Sequence, residues 1–341
     1  MKAQSAVAMG ALAVAGLVAA YTTWQRPAEE KDTEATVLDL SRAALERVRY
    51  EDRKRVVEVV PSRDGTWVRQ TEKPPAPPPP VAHATGGEDG GVHPASAQTS
   101  APVAPESSEP AKAREYKANE TADRLVDKFT PLRAVRALGV LPEEKLAELG
   151  LTSSERTLEV TARGTTTTFR LATAGQGSGS PYARREDDGQ VYLLRGTLLS
   201  DLEFAASRLV DRRLHTFRDD EYDAIRVIVG DKERRLAKAG KAFADPATGT
   251  VDEFATNWHG RVWSQGTGIE VLGRGEDPAA GTPEVQVRVE YLRGDKPVGH
   301  LDLATAGDDF FARTEHTAGW VRLHGGARQL VEERGQVVAG K

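Results

Sequence analysis

Leu171-Ala172-Thr173-Ala174-Gly175 recurs, residue for residue, as Leu303-Ala304-Thr305-Ala306-Gly307. The surroundings of the two copies also agree. Tyr182-Ala183-Arg184 follows the first and Phe311-Ala312-Arg313 the second. Gln190-Val191-Tyr192-Leu193-Leu194 then matches Gly319-Trp320-Val321-Arg322-Leu323. Ahead of each copy lies a β-branched run, Leu158-Glu159-Val160 or Val285-Gln286-Val287-Arg288-Val289, and behind each lies a helical pattern, Thr197–Asp211 or Ala327–Arg334. Further upstream, Val48-Arg49-Tyr50-Glu51-Asp52 resembles Val227-Ile228-Val229-Gly230-Asp231 as the first strand and turn of a hairpin. A supersecondary unit repeated in this way implies duplication. The expected fold class is α+β, with two repeated units of hairpin, helix, antiparallel four-strand meander and helix. The first unit occupies 35–72 and 115–221, and the second 222–338.

Within the first unit, Leu158–Ala162, Thr166–Ala172, Tyr182–Glu186 and Val191–Leu194 are short, alternating or β-branched, and separated by polar or Gly-rich turns. That pattern predicts an antiparallel meander. Val48, Tyr50, Val57, Val59 and Trp67 predict two or three strands with turns at Glu51–Lys54 and Arg63–Gly65. Asn119 is a good N-cap for a helix carrying Leu125, Val126 and Phe129 on one face. It corresponds to a second helix near Val251–Trp263. Pro131 is expected to open a further helical piece with Leu132, Val135 and Leu138, closed by Gly139. Pro142–Leu149 reads as a short helix ending at Gly150.

Two segments stand apart from the units. Ala3 to Gln25 contains no charged residue. About 20 apolar residues cross a bilayer core of roughly 30 Å, and Tyr21 and Trp24 sit where interfacial aromatics belong. Residues 1–25 are therefore expected to be a signal anchor, with 4–24 in the membrane. A cleaved signal peptide is the competing reading. Lys2 on one side and Arg26 with Lys31 on the other nearly balance the positive-inside bias. The expected orientation puts the bulk of the chain outside the cytoplasm, in the periplasm. The second segment, 73–114, holds Pro77–Pro80 and further Pro, Gly, Ser and Ala. Its composition cannot offset the entropy of ordering, so disorder is expected. It reads as a stalk, an insertion or a polyproline ligand.

The 341 residues carry a net charge of -5, which gives no electrostatic case for nucleic acid. There is no cysteine, so disulfides, thiol catalysis and cysteine-ligated zinc are excluded. Mean hydropathy is -0.48, as in a soluble protein, so the apolar N-terminus is a local exception. The chemistry-bearing candidates are few. Gly175–Ser180 invites a phosphate-loop reading, but Pro181 and a strand follow instead of a helix N-terminus. His300 and Asp302 share a strand face, with His316 and His324 nearby, yet no helical i, i+4 histidine pair is present. His83 and His93 lie in the Pro-rich stretch. Asp187-Asp188 beside Gly189 and Asp219-Asp220-Glu221 read as solvated turns. Trp258 and Trp263 flank Arg261 on a helix and read as packing residues, with a carbohydrate or aromatic-cage site as the alternative. No catalytic, cofactor-binding or metal-ligating residue is assigned, and no enzymatic activity is expected.

Asn119-Glu120-Thr121-Ala122-Asp123-Arg124-Leu125, Pro131-Leu132-Arg133-Ala134-Val135-Arg136, Leu149-Gly150-Leu151, Tyr182 with Val191-Tyr192, and Asp211-Arg212-Arg213-Leu214 followed by Phe217 resemble the family called domain of unknown function 4340. The resemblance covers most of Val37 to Val338. Members of that family have one N-terminal membrane helix and accompany gliding-motility-type ABC transporter permeases. The resemblance implies an accessory, adaptor or binding subunit of an ABC transporter system, with an integral-membrane permease as partner. It carries over no catalytic residue. A structural envelope tether acting through the Pro-rich segment is the alternative.

Overall fold

The computed structural model describes residues 34–74, 113–173, 179–265 and 270–340. The expected membrane helix at 1–25 and most of the Pro-rich stretch lie outside them. Among the described residues, no helix is long and apolar enough to cross a membrane.

The chain enters as β1 (Ala35–Leu38) and a single 3-10 turn at Arg42–Ala44. β2 (Leu45–Glu51), β3 (Arg55–Ser62) and β4 (Gly65–Glu72) follow. Val48, Tyr50, Val57, Val59 and Val68 are buried on one face of these strands. The residues between them are charged, and they form a ladder on the other face. Arg49 lies opposite Glu58 on β3 and Glu159 on the next strand, and pairs with Glu159 at 3.0 Å. Opposite charges at facing positions stabilise a sheet by a few tenths of a kcal/mol each, while the apolar face supplies ~2 kcal/mol per buried side chain.

β5 (Arg114–Lys117) pairs with β4, Gln70 facing Arg114. The Pro-rich stretch is therefore an insertion between two paired strands, not a stalk beneath the fold. α1 (Glu120–Lys128) then packs Ala122, Leu125 and Val126 on the sheet. Asn119 caps it, accepting from Thr121 N at 2.9 Å and Ala122 N at 3.4 Å. The same side chain donates to the Arg208 carbonyl at 2.9 Å. Asn119→Ala should therefore cost about 1 kcal/mol or somewhat more in urea unfolding. A Ser substitution, which keeps the cap, should recover most of it.

The helical piece expected after Pro131 is not a helix. The Thr130–Pro131 bond is cis. Beyond it run two strands, β6 (Leu132–Ala134) and β7 (Arg136–Val140). The spacing of Leu132, Val135 and Leu138 suggested one helical face. In fact Leu132 and Ala134 are buried at period 2, while Val135 is 40% exposed. β6 pairs with β1, and β7 pairs with a strand more than 50 residues on. Long-range pairing overrides local propensity here. Gly139 is no helix cap. It lies in β7 at a register irregularity with φ of 78°, where a bulge favours glycine. The short helix α2 (Glu143–Glu148) is where the sequence placed it.

The meander forms as expected. β8 (Arg156–Ala162), β9 (Thr165–Thr173), β10 (Pro181–Arg185) and β11 (Gln190–Leu193) are successive antiparallel neighbours. The first sheet runs β5-β4-β3-β2-β8-β9-β10-β11-β7. The helix behind it is broken at Phe204 into α3 (Gly196–Glu203) and α4 (Ala205–Arg208). Leu198, Leu199, Leu202, Ala205 and Leu209 join α1 in one core over this sheet.

The second sheet is built from β12 (Ala224–Val229), β13 (Lys232–Ala239) and β14 (Ala242–Ala244), then α5 (Glu253–Ser264) and β15 (Glu270–Val271). β16 (Glu284–Arg293), β17 (Lys296–Ala306), β18 (Asp309–Thr314) and β19 (Val321–Arg322) follow, with α6 (Ala327–Glu332) and α7 (Arg334–Ala339). Its order is β14-β13-β12-β16-β17-β18-β19-β15. α5 starts at the Asp252 cap, which accepts from Ala255 N at 2.8 Å. A separate core lies beneath it, containing Ile225, Val227, Val289, Trp258 and Leu330. The fold is thus mixed α/β with antiparallel sheets and few helices.

Candidate functional site

The two sheets meet edge to edge. Arg274 N donates to the Glu115 carbonyl of β5 at 2.8 Å. The Arg274 guanidinium lies 3.5 Å from the Glu115 carboxylate and 5.0 Å from the centre of the Trp67 ring. A Cβ on Gly273 would stand 3.2 Å from the Arg114 Cβ, so the backbones approach closely there.

Beside this joint opens a cleft of about 510 Å³. Gln70 and Glu72 of β4 and Arg114 and Tyr116 of β5 form one wall. Glu270 and Val271 of β15, with Glu276, form the opposite wall, and Ala206, Val210 and Arg212 close one end. Clefts between structural units are where ligand sites concentrate. Arg114 spans the gap, pairing with Glu276 at 3.0 Å. Burial opposes its charge, and Glu276 with the Tyr116 hydroxyl outweighs that opposition, so its pKa is raised. Burial also raises the Tyr116 hydroxyl above the usual tyrosine value, so it stays neutral at pH 7 and can donate a hydrogen bond. Gln70 Nε2 is buried without a hydrogen-bond partner. Among the described residues, Glu72, Glu270 and Arg212 form no ion pair in this cleft. The lining suits charged and hydrogen-bonding groups of a guest. Glu72 and Arg114 also bracket the Pro-rich insertion, so that insertion leaves and rejoins the fold at the cleft.

A second contact ties the halves together. Asp211, 8% exposed, accepts from His316 Nε2 at 2.9 Å and from Arg213 Nη2 at 2.7 Å. Arg213 N adds a third bond at 3.0 Å. Burial pushes the Asp211 carboxyl up, but the bonds from His316 and Arg213 prevail and hold it well below the usual carboxylate range. Nearby, the Thr314 hydroxyl donates to the Leu214 carbonyl.

The residues weighed in the sequence do not come together. His316 bonds to Asp211. Asp302 is 2% exposed and sits between Arg288 at 2.9 Å and Arg313 at 3.5 Å. The Arg288 contact is an ion pair without hydrogen-bond alignment at Asp302 Oδ1. His300 lines a shallow hollow of about 320 Å³ with Arg288, Glu290 and Glu315. Among the described residues, no group of three His, Asp or Glu side chains could hold a metal ion. After the Gly-rich segment the chain enters β10, a strand and not a helix. Asp188 caps its hairpin turn, accepting from Gln190 N at 3.0 Å. Trp258 is fully buried and donates to the Leu330 carbonyl at 2.9 Å, so it is a packing residue.

Trp263 joins a buried aromatic cluster that sequence reasoning missed. It stacks on His215 at 5.4 Å, with Tyr291 edge-on to His215 at 5.0 Å. Phe217, Tyr222 and His259 complete the group. His215 Nδ1 meets Glu315 Oε1 at 3.1 Å. His215 Nε2, His259 Nε2 and the Tyr291 hydroxyl are buried with no partner. These residues come from three separate stretches, 215–222, α5 and β16, so no local motif announces them.

The fold and its joint define a class: a mixed α/β protein whose two large antiparallel sheets have a polar cleft between them. Residues 107–258 match the family model described as Domain of unknown function (DUF4340). The match bears out the resemblance read from the sequence, over a shorter span than Val37 to Val338. It runs from the Pro-rich stretch across the joint into α5. No curated protein and no solved structure matches the chain.

Proposed function

We propose that this protein is a membrane-anchored, extracytoplasmic accessory subunit of an ABC transporter system, acting as an adaptor or binding subunit beside its permease. One observation carries the reading. The uncharged stretch Ala3–Gln25 is long enough to span a bilayer, and β1 begins at Ala35. The nine intervening residues reach at most about 30 Å, so the folded region would lie against the membrane surface, where a permease is. The family match supports the same direction. The charged cleft at the sheet joint is the surface offered to a partner or ligand, and no enzymatic step is assigned to it. Detergent extraction of the tagged full chain should co-purify an integral-membrane permease. Recovery of peptidoglycan or outer-envelope partners alone would overturn the adaptor reading. The tether alternative is favoured by the place of the Pro-rich insertion in the chain, between β4 and β5. It predicts that deleting 75–112 abolishes function, while the adaptor reading predicts that permease binding survives.

In the same reading the two halves are copies of one unit. The strand orders β4-β3-β2-β8-β9-β10-β11-β7 and β14-β13-β12-β16-β17-β18-β19-β15 run in parallel element for element. Leu171 faces Ala183, and Leu303 faces Ala312. Ala183 then faces Tyr192, and Ala312 faces Val321. The repeated pentapeptide thus begins from the same register in both sheets. The leading hairpins correspond with a two-residue shift. Two residues before each repeated Leu, Phe169 and Leu301 face Leu158 and Val289, which in turn face Tyr50 and Val227. Tyr50, and not Val48, is the counterpart of Val227. A shift of two keeps the buried face buried.

A further inference from the structure

Glu34, the first of the described residues, lies in the wall of a hollow of about 400 Å³. Lys128 at the end of α1, Arg133 of β6, Arg195 just before α3 and Thr197 within it line the same hollow, together with Asp127. Charges there do not balance. Arg133, at 3.5 Å, and Arg195 both pair with the single Glu34 carboxylate. Asp127 is held by Arg42, which also takes Asp123 at 2.8 Å. Lys128 and Arg208 share Asp201, at 3.2 and 3.0 Å. Five cations thus meet four carboxylates, and one positive charge is left. The two arginines on Glu34 are the most exposed of the five cations, at 58% and 64%. A guanidinium presents five donors in a planar fork that suits phosphate, so two of them around one carboxylate keep donors for a second anion.

The place of the hollow in the chain says which anion. Glu34 is the last of the nine residues between the uncharged stretch Ala3–Gln25 and β1. Of the described residues, those around Glu34 are therefore nearest along the chain to the bilayer. An anionic leaflet attracts basic side chains only within a Debye length of its surface, about 8–10 Å. The linker supplies no net attraction, since Arg26 and Lys31 are outnumbered by Glu29, Glu30 and Asp32. The arginines of the hollow have to supply it. Beside them Val135 is 40% exposed, with its N–H on the Leu193 carbonyl. An apolar side chain next to arginines suits the headgroup layer.

We propose that this hollow is the membrane-facing site of the folded region, where Arg133 and Arg195 hold the phosphate of an anionic phospholipid headgroup. The assignment rests on the membrane-anchor reading above.

The chain has no cysteine, so one introduced thiol carries a fluorophore specifically. Full-length Val135→Cys protein, and Asp231→Cys in the β12–β13 turn as a control, are labelled and reconstituted in vesicles. The vesicles contain phosphatidylcholine alone or with phosphatidylglycerol, and a lipid spin-labelled on its headgroup acts as quencher. In the anionic vesicles the label at 135 should be quenched about three times as strongly as the label at 231. Arg133→Gln with Arg195→Gln should bring 135 down to the control, with the urea midpoint of these exposed variants unchanged. Excess inorganic phosphate should leave the quenching in place; full reversal would assign the hollow to the free anion and overturn the lipid. Equal quenching at 135 and 231, or no difference between the two lipid mixtures, in protein that floats with the vesicles would overturn this proposal and leave the anchor standing. Protein that fails to float with the vesicles would overturn both.

Discussion

Replacing Asp211 with alanine is expected to cost about 3 kcal/mol, because it removes a buried carboxylate that bonds partners from both halves of the molecule. The side chain is 4% exposed and takes bonds from His316 and Arg213 at once. Truncation leaves His316 in a half-buried position with no acceptor, and leaves Arg213 without its counter-charge. The effect has two separable parts. One is local, from Arg213 two residues on, and survives if the halves part. The other joins residue 211 to residue 316 and does not. A double-mutant cycle on Asp211→Ala and His316→Ala isolates the second part, since directly bonded residues couple by about 0.5–3 kcal/mol. Coupling below that range in urea unfolding would mean that this contact does not hold the halves together. The pH dependence follows from the same geometry. The folded carboxyl titrates below its ordinary value of 3.8, so its contribution is complete above that pH and is lost as pH falls below it.

What was legible in the sequence divides along the range of the contacts. The meander β8–β11 and the cap at Asn119 depend on neighbours a few residues away, and alternation or cap chemistry gives them directly. β1, β6 and β7 depend on partners far along the chain. Ala35 pairs with Ala134, and Arg136 with Leu193, so their short segments carry no strand signal of their own. The apolar spacing at Leu132, Val135 and Leu138 then reads as a helix by default. The cleft residues were missed for the same reason. Glu72, Arg114, Arg212 and Glu270 lie on four segments and share no motif. The one hint was position, since Glu72 and Arg114 bracket the Pro-rich insertion.

His259 should make the second half of the molecule acid-labile well above the range in which carboxylates titrate. It sits on α5, 4% exposed, between the rings of Phe243 at 4.7 Å and Tyr291 at 5.8 Å. Its Nε2 has no partner. Burial lowers its pKa from 6.5 to about 4; Asp219 opposes the shift, while Lys238 and His215 add to it. The folded state therefore resists a proton that the unfolded chain accepts first. Stability from this group is complete above pH 6.5 and drains away as pH falls toward 4, by about 3 kcal/mol in all. His259→Phe keeps the ring in an aromatic pocket and removes the titration. Urea unfolding of the parent and the variant at pH 7, 6, 5 and 4 should give curves of stability against pH with different slopes, the parent falling more steeply. The variant should lose about 3 kcal/mol less than the parent over that interval, whatever the repacking cost at pH 7. Parallel curves would show that His259 is protonated as readily in the folded protein as in the unfolded chain. The unpartnered nitrogen would then have water or a hydrogen-bond acceptor within reach, and the cluster around Trp263 and Tyr291 would be wetter than its packing implies.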